Sequence, residues 1–167
     1  MRALSACFAS ALFFGGLACG SAGGSYVQNE RAGLADRGDT NGRMLDFVVN
    51  QVEGSDWQIR VRGNSLWAAF TDEEQKLTDL GTIRIAEKDS DKLWKLIDSV
   101  DIPSRKKGKK DEDEGWVELR LREPGGDEGH EVTTIFISRA TKDEDVIDLA
   151  EYLRELIKKY HQKKPDF

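Results

Sequence analysis

Histidine and cysteine are nearly missing from this chain, with two of each among its 167 residues. The shortage removes whole classes of chemistry. Cys7 and Cys19 have no metal-ligand company, and neither an HExxH helix, a nucleophile elbow nor a phosphate-cradling Gly-Lys loop occurs. The nearest approach to a ligand cluster is Asp127, Glu128, His130 and Glu131 in "GGDEGHE". A metal there would have to order a Gly-rich turn with nothing behind the imidazole to orient it, so a surface turn is expected, with no metal and no cofactor.

A long hydrophobic run is missing too. The apolar stretch from Ala6 to Leu17 is about twelve residues, against the ~20 that cross a bilayer as a helix. Acids exceed bases, 31 to 25, for a net charge of −6, and no aromatics interleave with the bases. Nucleic acid is therefore not an expected partner. With acids this abundant, any carboxylate pair is unremarkable, and a carboxylate-based hydrolase has no constellation to support it.

What is present begins at the N-terminus. Arg2 is the only charge before Glu30, and it precedes the short apolar core and a small-residue stretch, the parts of an export signal. Gly15-Gly16-Leu17-Ala18 then leads into Cys19. This resembles the lipobox of bacterial lipoproteins, although Gly16 stands where that family usually has Leu and Leu17 where a smaller residue is common. The resemblance implies removal of residues 1–18, lipidation of Cys19 and a place in the cell envelope. Gly20, rather than Asp, after the anchor implies the outer membrane. The alternative is an ordinary secretory signal cut after an A-x-A-like site, which would leave the chain secreted. Cysteine arithmetic agrees with acylation: Cys7 would be discarded and Cys19 left without a disulfide partner.

Residues 19–43 read as a flexible tether, rich in Gly, Ser, Asn and Asp without apolar periodicity. Its reach is roughly 25–30 Å for a random coil of this length. Arg37-Gly38-Asp39 is a chance tripeptide in that setting. Asp39-Thr40-Asn41-Gly42 fails as a calcium loop, because the register puts Arg37 first and Val48 twelfth, where carboxylates are required.

Residues 44–167 are enough for one domain. Strands are predicted at 44–52, 57–62, 65–70 and 81–86, with Trp57, Ile59 and Val61 alternating against Gln58, Arg60 and Arg62, and Gly63-Asn64 as a two-residue turn. Leu93, Ile97 and Val100 mark an amphipathic helix stopped at Ile102-Pro103. Val117, Leu119 and Leu121 alternate against Glu118, Arg120 and Arg122 in a strand over 116–122, which "EVTTIFIS" at 131–138 answers. Thr141 and Glu144 have the spacing of a capping box for a second helix running to about Tyr160, with Val146, Leu149, Leu153 and Ile157 on its stripe. The expected class is α+β: one antiparallel sheet of five or six strands with both amphipathic helices on one face. The likeness between its halves suggests two ββα-type units side by side.

Residues 104–115 hold five bases and then four acids, which reads as an exposed, mobile loop, either merely solvated or an arm for a partner. Trp67 falls opposite Leu66, Ala68 and Phe70, and Phe136 opposite Ile135 and Ile137. If the two are neighbours on an uncovered sheet face, they are candidate partner-binding residues. The expected function is a non-catalytic, membrane-anchored envelope lipoprotein whose domain binds another protein. The element order is also similar to that of the emfourin-like protease inhibitors, which implies the alternative of an inhibitor of an extracytoplasmic peptidase.

Overall fold

The computed structural model describes residues 42–125 and 129–167. Four strands come first: β1 (Met44–Asn50), β2 (Asp56–Arg62), β3 (Ser65–Thr71) and β4 (Leu77–Arg84). Helix α1 (Glu87–Val100) and a short 3-10 turn at Ile102–Ser104 lead to β5 (Trp116–Gly125), β6 (Gly129–Ser138) and α2 (Glu144–His161). The strands form one antiparallel sheet in the order β4-β3-β2-β1-β5-β6. The class is α+β, with six strands and two helices. β1 is central because it pairs with β2 on one side and, across the whole first half of the chain, with β5 on the other.

Period-two alternation decides what each strand buries. Leu45, Phe47 and Val49 of β1 are at most 1% exposed, and they share one buried cluster with Trp57, Ile59 and Val61 of β2 and Leu119 of β5. The same cluster takes in Leu93, Ile97 and Val100 of α1 and Leu149, Leu153 and Ile157 of α2. The 3.6-residue spacing of those helix residues is what turns them toward a common neighbour.

Local chemistry fixes the corners. Gly63 adopts φ +52°, a conformation that costs glycine little, and so closes the β2–β3 hairpin in two residues. Its carbonyl accepts from Ser90 Oγ at 3.0 Å and Trp94 Nε1 at 2.9 Å, which clamps α1 to the turn and satisfies two buried donors. β4 begins four residues earlier than its predicted start. The register slips between Ala68 and Ala69, and Gly81 takes φ +80°, so a bulge interrupts the alternation that would have marked the strand.

Two other details differ from expectation. The N-cap of α2 is Asp143, whose Oδ1 accepts from the Val146 amide at 3.3 Å, while Thr141 Oγ1 accepts from the Asp143 amide at 3.2 Å. The cap therefore sits two residues later than the Thr141 spacing implied, and Asp is as good a cap as Thr. Asp143 also pairs with Arg105, which donates to the Val100 carbonyl as well and so joins the end of α1 to the start of α2. Beyond α2, Asp166 Oδ1 accepts from Trp57 Nε1 at 2.7 Å. The ring of Phe167 packs at 5.7 Å from Phe47 and 5.8 Å from Trp57.

Candidate functional site

The cluster side of the sheet is dry; the opposite side is not. Strand pairing orders that second face into rows running across the strands. One row reads Thr82, Trp67, Arg60, Asp46, Arg120 and Thr134 from β4 to β6. The next row toward the end where β1 begins reads Arg84, Ser65, Arg62, Met44, Arg122 and Val132. On the other side lies Asp79, Ala69, Gln58, Val48, Glu118 and Phe136. Five arginines thus gather on two adjacent rows, in a chain whose net charge is −6.

At the middle of this group Asp46, only 3% exposed, accepts from Arg60 Nε at 2.6 Å through Oδ1. Its Oδ2 and the Oε1 of Gln58 are buried without a hydrogen-bond partner among the described residues. Arg60, Arg62, Arg120 and Arg122 are half-buried, their stems lying along the sheet. Arg84 pairs with the side-chain oxygen of Asn64. The face also ends in acid. Where β1 finishes, Asp56, Glu118 and Asp79 point to this side, and the turns at that end carry Glu53, Asp72 and Glu73 around a polar hollow of about 470 Å³. Local structure accounts for two of these acids: Asp56 accepts from the Gln51 amide at 2.8 Å, and Asp72 accepts from the amides of Glu74 and Lys76 at 3.1 and 2.9 Å.

Trp67 and Phe136 both lie on this face and both are half-buried. They are not neighbours. β2, β1 and β5 stand between their strands, a separation of roughly 19 Å at about 4.8 Å per strand. The two rings therefore do not make one apolar spot, because the chain places β1 in the middle of the sheet and the two aromatics on opposite flanks. Trp67 Nε1 donates to Asp79 Oδ1 at 2.9 Å. Phe136 is covered by the basic loop: Lys110 Nζ lies 5.7 Å from its ring and 5.0 Å from that of Trp116. The backbone of the loop is tied down too, since the Phe136 amide donates to the Lys107 carbonyl at 2.7 Å. Gly108 makes that approach feasible; at φ +71°, a Cβ there would sit 2.1 Å from the Phe136 carbonyl oxygen. The loop is exposed along most of its length, yet part of it is an arm laid on the edge strand.

Cys19 lies outside the described residues, as do Asp127 and Glu128 of the turn cluster; His130 is exposed on β6. No group of three or more His, Cys, Asp or Glu side chains able to hold a metal occurs among the described residues. Among them, too, no helix is long and apolar enough to cross a membrane.

A polar cluster that the sequence did not reveal joins the two helices. Asp89, 8% exposed in the first turn of α1, accepts from Lys159 Nζ at 2.5 Å and Tyr160 Oη at 2.6 Å. The Lys159 and Tyr160 hydrogen bonds hold the Asp89 carboxyl below the ordinary aspartate range, and Asp89 in turn raises the Lys159 ammonium. Tyr152 Oη lies 3.5 Å from the same carboxylate, and burial first, with the Asp89 charge behind it, pushes its phenol up to about 12. Asp89, Lys159 and Tyr152 are thereby held in their ordinary charge states rather than poised for proton transfer at neutral pH, so the cluster acts as a helix clamp. His161 is half-buried at the end of α2, and that desolvation lowers its pKa; its Nε2 has no partner among the described residues.

No protein-family model matches the chain, and no curated protein matches it.

Proposed function

We propose that this chain is a membrane-anchored envelope lipoprotein with a non-catalytic domain that binds another protein through the arginine-rich sheet face. In this reading both helices cover the opposite face, each following its own run of strands as two ββα-type units. The shared buried cluster of sheet and helix side chains supports that arrangement. The observation that carries the functional reading is the second face itself. Arginine and aromatic side chains are the types enriched at protein interfaces, and here they lie half-buried on a broad regular surface in a chain that is acidic elsewhere. The anchor rests on the lipobox-like run ending at Cys19, which would leave a short tether to the domain.

Two measurements test it. Cys19→Ala should move the chain from the membrane fraction to the soluble fraction in folded form, since acylation supplies the anchor. Persistence in the membrane pellet after a high-salt wash would refute the lipid anchor. Trp67→Ala should weaken capture of the envelope partner strongly, because an interface aromatic commonly contributes about 2 kcal/mol or more. Unchanged capture with unchanged melting would remove this face as the binding surface.

A further inference from the structure

We propose that the protein bound by this face is a second copy of the same chain, its sheet stacked face to face on the first across a two-fold axis that lies between the sheets and runs across the strands. The proposal rests on the reading of the face as a protein-binding surface and names its occupant. Strand register supports this pairing. A two-fold axis in that direction lays each strand antiparallel on its own counterpart, so that β2 covers β2 and β5 covers β5 of the copy. Centred between the Asp46 row and the Val48 row, it exchanges those two rows and exchanges the Arg62 row with the row holding Asp56 and Trp116.

The pairs that result are complementary. Arg62 meets Asp56 of the second copy on β2, and Arg120 meets Glu118 of the second copy on β5. Arg60 meets the neutral Gln58 of the second copy, which adds no like-charge contact. The two-fold axis repeats every contact, so two positive row-ends cover two negative ones. With the axis along the strands and centred on β1, Arg60 and Arg62 would instead lie on Arg120 and Arg122, an arrangement that like charge disfavours.

Size agrees as well. The loop covers the β6 flank, and the other five strands, about 4.8 Å apart and about seven residues long at about 3.3 Å each, give a face of roughly 550 Å², or about 1,100 Å² for two copies, just above the ~1,000 Å² that a specific interface needs. Stacked sheets are rotated by about 30°, which misaligns the outer strands most and leaves the pairs on β2 and β5, next to the central strand, in register.

The test is a charge exchange read by sedimentation velocity on the full chain carrying Cys19→Ala. Wild-type surface residues should give a dimer that dissociates at about 1 M salt, where the screening length falls to about 3 Å. Arg62→Glu alone and Asp56→Arg alone should each weaken it by at least about tenfold, since each places two like-charge contacts in the interface. Mixing the two variants should restore the dimer, because the mixed pair has one native and one reversed contact, both attractive. Restoration cannot be mimicked by partial unfolding or by association through another part of the chain. The same exchange with Arg120→Glu and Glu118→Arg serves if Asp56→Arg fails to fold. A monomer at every soluble concentration, or a mixture that stays monomeric, overturns self-pairing. If Trp67→Ala nevertheless loses capture of an envelope protein, the protein-binding reading survives that result; if capture is unchanged, both fall.

Discussion

The two faces of the sheet are built from the same strands and the same alternation, yet they are specified in different ways. On the dry face every strand contributes residues that no arrangement of the chain could leave in water, so Leu45, Phe47, Ile59, Leu119 and the helix residues Leu93 and Leu153 find one another by burial alone. The wet face is specified by neighbours. Arg60 and Arg120 are far apart in sequence and flank Asp46 only because β1 is inserted between β2 and β5. Hydrophobic patterning therefore says which residues are inside, and strand order says what the outside presents.

Substitution should expose that difference, most strongly on the dry side. Leu153→Ala should cost about 2–5 kcal/mol in urea unfolding, because the site is fully enclosed and the cavity can collapse only partly. A cost below about 1 kcal/mol would show that the helix side is looser than the other face. Next in size is Asp143→Ala, which removes the α2 cap and one partner of Arg105 together; a loss of about 1–2 kcal/mol is expected. Thr141→Ala should cost less, and the opposite order would return the cap to Thr141.

Acid should act next. Asp89 and Asp143 are held below the ordinary aspartate value, so their stabilisation is fully present above about pH 4 and is lost as pH falls through their lowered folded values. His161, lowered by burial, contributes stability above its unfolded value near 6.5 that is lost as pH falls through its folded value. Tyr152 has the opposite sign: with its phenol raised to about 12, its contribution is present below about pH 10 and disappears as pH rises through 12. Melting curves from pH 3 to 12 should therefore fall at both ends, and Tyr152→Phe should flatten only the alkaline limb. The smallest stability change belongs to the wet face. Trp67→Ala should cost at most about 1 kcal/mol, the net worth of one hydrogen bond and a half-covered ring, while the proposed binding role would make its effect on capture large.

Much of the dry face was legible. Five of the six strands, both helices and most of the core stripe follow from period two and period 3.6, which local spacing displays directly. β4 was only half visible, because Asp79 and Gly81 sit at a bulge that breaks alternation. The α2 cap was misplaced because Thr141 and Asp143 are both good caps and only the backbone geometry chooses between them. Alternation alone puts Trp67 and Phe136 on one face, but whether they are neighbours was not legible, since their separation depends on β1 and β5, which pair across a long sequence interval. For the same reason the Asp89 clamp was hidden: its partners lie 70 and 71 residues away.

The bond from the Phe136 amide to the Lys107 carbonyl has a further effect at the margin of the sheet. β6 is a terminal strand, and without the arm it would offer a regular ladder of unpaired amides and carbonyls to any extended chain that met it. The arm blocks one such site with backbone while its lysines repel an identical neighbour, and at the opposite margin the bulge in β4 breaks the ladder. Lateral growth into fibres is thereby checked at both margins. Replacing Gly108 by valine should lift the arm from β6 with a modest loss of stability and a shortened lag before thioflavin-positive aggregates form. An unchanged lag would mean that the terminal strand is guarded by something other than this arm.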